Sequence, residues 1–335
     1  MRKRQLSQQF IDDLLTGVLN PLLKEVQEDD TLCMELRGNR IDLVKGDRKI
    51  ISYDNEAINI YYRGGSLFKI TRVNRVDKEY DIFFDVGYCK GQANTSVCKT
   101  DPDVDYAVEN IAIYKHTMDK WFSKNLKMER ELQQFIVREN NNTTISNSTD
   151  YFIIDIEYAT SESNDAIEEY NKVNGRFDMV AFKWPSLKRT GKKNKSLALI
   201  ELKYGDNSYN GSSGVRKHLD DFNDFLNDKK RLAEFCDDMA MVFQQKCKLG
   251  LIRGFDDKKG AIKIDNDNTE AIFIFANHNP KSDILKGVLA PISQANYNFP
   301  IKVAHASTMG TCLHEKKMMD IDDFKMKIAI EDGKK

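Results

Sequence analysis

One stretch constrains this chain more than any other: Ser196-Leu-Ala-Leu-Ile-Glu-Leu-Lys-Tyr. It reads as a strand. Glu201 and Lys203 interrupt an apolar run in which ionised groups are costly unless something binds them. Two residues apart on a strand, their side chains emerge on one face. The preceding strand, Gly175-Arg-Phe-Asp-Met-Val-Ala-Phe-Lys-Trp, carries Asp178 just ahead of its own apolar residues. If 178–183 and 196–203 pair as an antiparallel hairpin turning near 189, Asp178 lies almost opposite Glu201 and the carboxylates converge. The acidic-x-Lys tripeptide alone carries no weight, because Asp47-x-Lys49, Asp228-x-Lys230, Glu315-x-Lys317 and Asp323-x-Lys325 match it too. The apolar setting is what separates Glu201 from these.

Periodicity divides the chain. Residues 5 to 27 carry Phe10, Leu14, Leu15, Val18, Leu22 and Leu23 at helical spacing. From Leu32 to about Tyr88 the period changes to two, and Gly64-Gly65 between two short strands signals a hairpin turn. A polar loop over 90 to 104 precedes one long predicted helix, Val108 to Glu139. Strands at 151–158, 175–184 and 196–204 follow, then helices near 214–226 and 229–247, and strands at 271–276 and 301–305. With 335 residues, the chain is too long for one ordinary core and short for three. The expected division is therefore 1–105, an N-terminal helix plus a small β-rich domain, and 106–335.

Composition narrows the classes. A hydrophobic share of 41% with 31% charged residues describes a globular chain with a well-solvated surface. Fifty-one basic against 52 acidic residues give a net charge of -1, so nucleic-acid binding has to come from local patches. Six scattered cysteines without C-x-x-C spacing read as reduced structural thiols. No apolar run approaches a membrane span, and the cytoplasm is the expected compartment. No phosphate-binding G-x-x-x-x-G-K-[ST] loop and no G-x-S-x-G nucleophile elbow occur, and His278 and His305 lack ligand-spaced partners for zinc.

Hydrolysing a phosphodiester needs an activated water and neutralised phosphate oxygens. Mg²⁺ held by hard oxygen ligands supplies both, and a lysine beside it stabilises developing charge. Asp178, Glu201 and Lys203 offer these parts. With them, residues 115 to 280 resemble the PD-(D/E)XK nuclease superfamily: Phe177-Asp178 stands for a relaxed "PD", and Glu201-Leu202-Lys203 is an intact second half. The resemblance implies an α/β (α+β) fold with a restriction-endonuclease-like core, a central mixed sheet flanked by helices. It implies Mg²⁺, with Mn²⁺ as substitute, bound by Asp178 and Glu201, and Lys203 assisting the water or phosphate. Many members add a helix carboxylate. Glu129 is preferred here and Glu131 held in reserve, with a plain helix-surface carboxylate equally open. A polar residue after the lysine strand is also common, and His218 holds that place as either a functional or a structural histidine. The implied substrate is nucleic acid, DNA before RNA, with a homodimer or a partner ATPase in trans compatible with the pattern.

The basic loop Lys188, Arg189, Lys192, Lys193 and Lys195 lies on the order of 25–35 Å from Asp178 at about 3.3 Å per residue. It reads as a backbone clamp on a duplex or as an ordinary solvated turn. Asp155 and Glu157 form a further same-face pair, either extending the acidic cluster or pairing with Arg176. The rival to an enzyme is a catalytically inactive nuclease-fold module that binds nucleic acid or protein.

Overall fold

The chain is mixed α and β. The computed structural model describes residues 3–45, 48–73, 78–93, 95–142, 144–159, 176–185, 195–252, 262–279, 282–306, 315 and 318–332. It divides into two compact units. The first takes Arg2–Arg138 with Asp238–Ala261, and the second takes Glu139–Asp237 with Ile262–Lys335. The boundary near 105, expected from periodicity and the polar loop over 90 to 104, and this division at 138 therefore differ, and a returning segment completes the first unit.

In the first unit, α1 (Gln8–Leu15) starts where the Ser7 hydroxyl accepts from the Phe10 N–H, and it buries Phe10, Ile11 and Leu14. α2 (Asn20–Glu28) follows, with a proline in its first turn. The single helix expected over 5–27 is thus two, and Val18, placed on the buried stripe, is 54% exposed. Gly17 allows the break: a Cβ there would fall 2.6 Å from the Asp13 Cα. Next come β1 (Leu32–Arg37), β2 (Arg40–Lys45), β3 (Arg48–Tyr53), β4 (Ala57–Tyr62), β5 (Gly65–Arg72) and β6 (Tyr80–Phe83). β1, β4, β5 and β6 form an antiparallel sheet in that order, while β2 and β3 pair as a separate ribbon.

The long helix expected over 108–139 is three: α3 (Val104–Glu109), α4 (Ile111–Phe122) and α5 (Met128–Asn141). Asn125 ends α4 by bonding the Trp121 carbonyl through both its backbone and side-chain nitrogens. At helical spacing Phe122, Leu126, Leu132 and Ile136 would share one buried stripe, but across the break Leu126 is 66% exposed while Ile136 is fully buried. α5 holds the β4–β5 hairpin through Gln134, which accepts from the Gly64 N–H and donates to the carbonyls of Thr31 and Tyr61. Gly64 has φ +74, and a Cβ there would sit 2.3 Å from the Arg130 carbonyl.

The returning segment is held by buried polar contacts that no local pattern encodes. Lys246 meets Glu35 at 2.8 Å, and the Gln245 side chain bonds both the N–H and the carbonyl of Leu6 at 2.8 Å. Asp238 accepts from the Arg4 N–H at 2.8 Å and from the Gln5 amide at 3.2 Å. Burial pushes the Asp238 carboxyl up to about 6, against those donors, which pull it down. A raised folded-state value stabilises fully at low pH, and the benefit is lost as pH rises through about 6. Measured against Asp238→Asn, the wild type should gain about 2 kcal/mol between about pH 7.5 and 4.5. Urea unfolding at both pH values reads this gap, and an unchanged gap would refute the assignment.

The second unit is built on a six-stranded mixed sheet ordered β12-β11-β10-β9-β8-β7. β7 (Tyr151–Ala159), β8 (Arg176–Lys183) and β9 (Lys195–Tyr204) run antiparallel. β10 (Ile264–Ala276) and β11 (Ile301–Ala306) run parallel to β9, and the short β12 (Met319–Asp320) closes the edge. α6 (Val215–Asn227) and α7 (Lys229–Lys248) connect β9 to β10, and α8 (Ile284–Leu289) and α9 (Ile321–Asp332) flank the later strands. Reversing from an antiparallel to a parallel pairing requires such a crossover. An aromatic cluster fills this core: Phe177 packs on Phe222, Phe225 and Phe235 with ring centroids 5.0–6.1 Å apart.

Candidate functional site

β9 is buried along its length from Lys195 to Lys203. Period-two alternation sends Glu201 and Lys203 to one face, where they are 2% and 3% exposed. Lys203 Nζ donates to Glu201 Oε1 at 2.6 Å. α6 lies over this face, its Phe222 ring 5.6 Å from Phe273, the β10 partner of Glu201. In the first turns of α6, His218 brings Nε2 to 3.0 Å from the same Oε1. Two nitrogens thus crowd one carboxylate oxygen. The other, Oε2, is buried with no hydrogen-bond partner among the described residues. An oxygen left in that state costs about 1–3 kcal/mol, and more where it carries charge.

Met179 pairs with Ile200, so one position further along Asp178 stands opposite Glu201, as the hairpin arithmetic predicts. Its Oδ2 accepts from the N–H of Leu202 at 2.8 Å, the residue between Glu201 and Lys203. The carboxylate caps β9 where a backbone carbonyl would otherwise accept. Glu157 holds the corresponding position on β7, between the pairs Ile156–Met179 and Tyr158–Phe177, but with φ +48. A left-handed residue interrupts the alternation, so the same-face pairing expected of Asp155 and Glu157 does not follow from spacing.

The strand ends at Gly205, φ +69, and a loop leads to Gly214, the residue before α6. A Cβ on Gly214 would meet the Tyr209 carbonyl at 2.7 Å, which is why the helix begins there without a side-chain cap. Tyr209 from this loop packs edge-on against Phe275, 5.5 Å between centroids, and Phe275 is the β10 partner of Lys203. Its hydroxyl is buried without a partner among the described residues, and burial first, then the Asp206 carboxylate, pushes it well above the ordinary tyrosine range. Asp206 lies 3.6 Å from His278 Nδ1. Tyr209 and Asp206 carry no sequence signal beyond following the lysine strand. His278 drew notice only as a failed zinc ligand.

The other expected site residues fall elsewhere. Glu129 belongs to α5, in the first unit. Glu131 is held by Arg63, whose Nε donates to it at 2.8 Å. Lys188, Arg189, Lys192 and Lys193 lie outside the described residues. Lys195 is corrected: it opens β9 and is buried, with Nζ 4.5 Å from the centre of the Trp184 ring. Burial holds its amine below the ordinary lysine range, and a phosphate backbone has no access to it.

Among the described residues, no three His, Cys, Asp or Glu side chains gather closely enough to hold a metal ion by themselves. Mg²⁺ does not require such a cage, since it is commonly bound by one or two carboxylates and completed by water and substrate oxygens. The orphaned Oε2 of Glu201, with Asp178 across the pair, fits that donor set. No helix among the described residues is long and apolar enough to cross a membrane. No family model, curated protein or solved structure matches this chain.

Proposed function

We propose that this protein is a Mg²⁺-dependent nuclease of the PD-(D/E)XK kind, hydrolysing phosphodiester bonds of nucleic acid, DNA before RNA. The observation that carries the reading is the state of Glu201. A buried carboxylate has one oxygen held by Lys203 and His218 and the other left without a partner among the described residues. In a purely structural ion pair both oxygens would be satisfied. A bound Mg²⁺ or Mn²⁺ would neutralise phosphate oxygens and acidify a coordinated water.

Glu201 Oε2 and the Asp178 carboxylate are the groups that would hold the ion. Lys203 keeps the Glu201 side chain turned so that Oε2 points away from its own ammonium, and it places a positive charge beside the reacting phosphate. His218 braces the same carboxylate from α6, restricting its rotation. Asp178 is fixed by the Leu202 N–H, which sets its distance from β9. The buried aromatic wall of Phe273, Phe275 and Phe222 lowers the local dielectric and strengthens each of these charge interactions.

A second reading, a nuclease-fold module that binds without cutting, draws on the absence of a third acidic or histidine ligand among the described residues. Calorimetry separates the two. Wild type should bind Mn²⁺, and Asp178→Ala should bind it at least about tenfold more weakly. A panel of duplex and single-stranded DNA and RNA, incubated with Mg²⁺ or Mn²⁺, should then show cutting of at least one substrate. Metal binding without any cutting would favour the module, and no metal binding would sink both metal roles.

A further inference from the structure

Between Gly205 and Ser213, the segment that joins β9 to α6, Tyr209 is the one buried residue, 1% exposed. Its ring is held against Phe275 and its carbonyl accepts from the Val215 N–H at 3.1 Å, so it anchors the segment to the sheet and to the start of α6. Register partners on parallel strands send their side chains to one face. Phe275, and with it the Tyr209 ring, therefore lies on the face that carries Glu201 and Lys203. A phenylalanine would supply the same apolar anchor. The hydroxyl instead sits buried with no hydrogen-bond partner among the described residues, a state that destabilises the fold unless something binds it. Burial first, then the Asp206 carboxylate, hold that hydroxyl above the ordinary tyrosine range, so it stays protonated and able to donate. The segment runs on into the positive end of α6, whose first turn holds Arg216 and Lys217 and no acidic residue, a setting that favours an anion.

We propose that Tyr209 is a further substrate-contacting residue of the Glu201–Lys203 site, its hydroxyl donating a hydrogen bond to a non-bridging phosphate oxygen of bound nucleic acid. This role rests on the nucleic-acid substrate of the nuclease reading. Without substrate the hydroxyl is enclosed, so the segment has to shift for a phosphate to reach it. Gly205 and Gly211 allow this: their φ values are +69 and +87, and a Cβ on either would meet no heavy atom within 4 Å. The phosphate then satisfies the orphaned hydroxyl, which couples substrate binding to the position of the segment.

Tyr209→Phe keeps the ring and removes the hydroxyl. The full chain and this variant are compared by thermal unfolding without nucleic acid and by fluorescence anisotropy of short labelled DNA, duplex and single-stranded, with Ca²⁺ in place of Mg²⁺. The variant should have a Tm equal to or above that of wild type and bind DNA about tenfold more weakly. The loss should be the same for two unrelated sequences, as expected of a phosphate contact. A lower Tm in the variant would show that the hydroxyl already has a structural partner and would overturn the proposal. Unchanged affinity, or a loss confined to one sequence, would overturn it equally. Cleavage of the same DNA with Mg²⁺ reports on the nuclease reading separately. Wild type that binds more tightly than the variant but does not cut defeats that reading and keeps the contact. Wild type that cuts while the variant binds equally well defeats the contact and keeps the reading, and wild type that neither binds nor cuts defeats both.

Discussion

Under the proposed nuclease reading, Lys203→Ala should lose cleavage by about a hundred- to a thousandfold, because it would remove a positive charge beside the phosphate. It should also destabilise the second unit. Lys203 and Glu201 are both buried, and removing one partner leaves the other charge uncompensated at a cost of about 3–5 kcal/mol. Activity and stability must therefore be separated. The double variant Glu201→Leu with Lys203→Met removes both charges of the pair, so it should recover most of the lost stability while staying inactive. Urea unfolding and plasmid cleavage on wild type, the single variant and the double variant read both effects. If folded Lys203→Ala cuts at the wild-type rate, the role given to this lysine is gone. If the double variant is no more stable than the single one, the buried-pair account of the site fails.

Phe177→Ala carries the second large effect, on folding. The ring is buried and packs against Tyr158, Phe222, Phe225 and Phe235, joining β7, β8, α6 and the start of α7. Truncation leaves a cavity that neighbours on three other elements cannot all close, for about 3–5 kcal/mol. Because Phe177 precedes Asp178, the hydrogen bond from Leu202 to Asp178 should loosen with it, and Mn²⁺ affinity should fall in the variant that remains folded. Phe177→Leu, which keeps most of the volume, should cost less than about 1.5 kcal/mol and retain metal affinity. Equal stability of Phe177→Ala and wild type would mean that the aromatic cluster does not carry this core.

Much of the second unit was legible because its signals are local. Strand alternation with a turn near 189 places Asp178 opposite Glu201, and the helical stripe Val215, Leu219, Phe222 and Leu226 gives α6 within a residue of its observed bounds. Each rests on periodicities of two or 3.6 that hold without knowledge of distant segments. The long helix failed for the complementary reason. Over 108–139 the apolar spacing is continuous enough to suggest one rod, and the break depends on Asn125 capping Trp121 and on Gln134 being drawn to the β4–β5 hairpin. Lys195 was misplaced because a basic run looks solvated wherever it occurs. What buries this one is β9 pairing on both sides and Trp184 beneath it.

By itself the sequence determined the order of strands and helices from Tyr151 to Ala276 and the strand at Ile301–Ala306, though not α8, β12 or α9, and it marked the pair of charges, Glu201 and Lys203, set where a strand ought to be apolar. Only the tertiary structure decided which oxygen of Glu201 stays without a partner among the described residues, and that His218 joins Lys203 on the other. It also decided that Asp238–Ala261 returns to the first unit, where Lys246 pairs with Glu35 from 211 positions away. The difference is one of range. Backbone periodicity is written into neighbouring residues, whereas the satisfaction of a buried polar group depends on whatever the folded chain brings within about 3 Å of it.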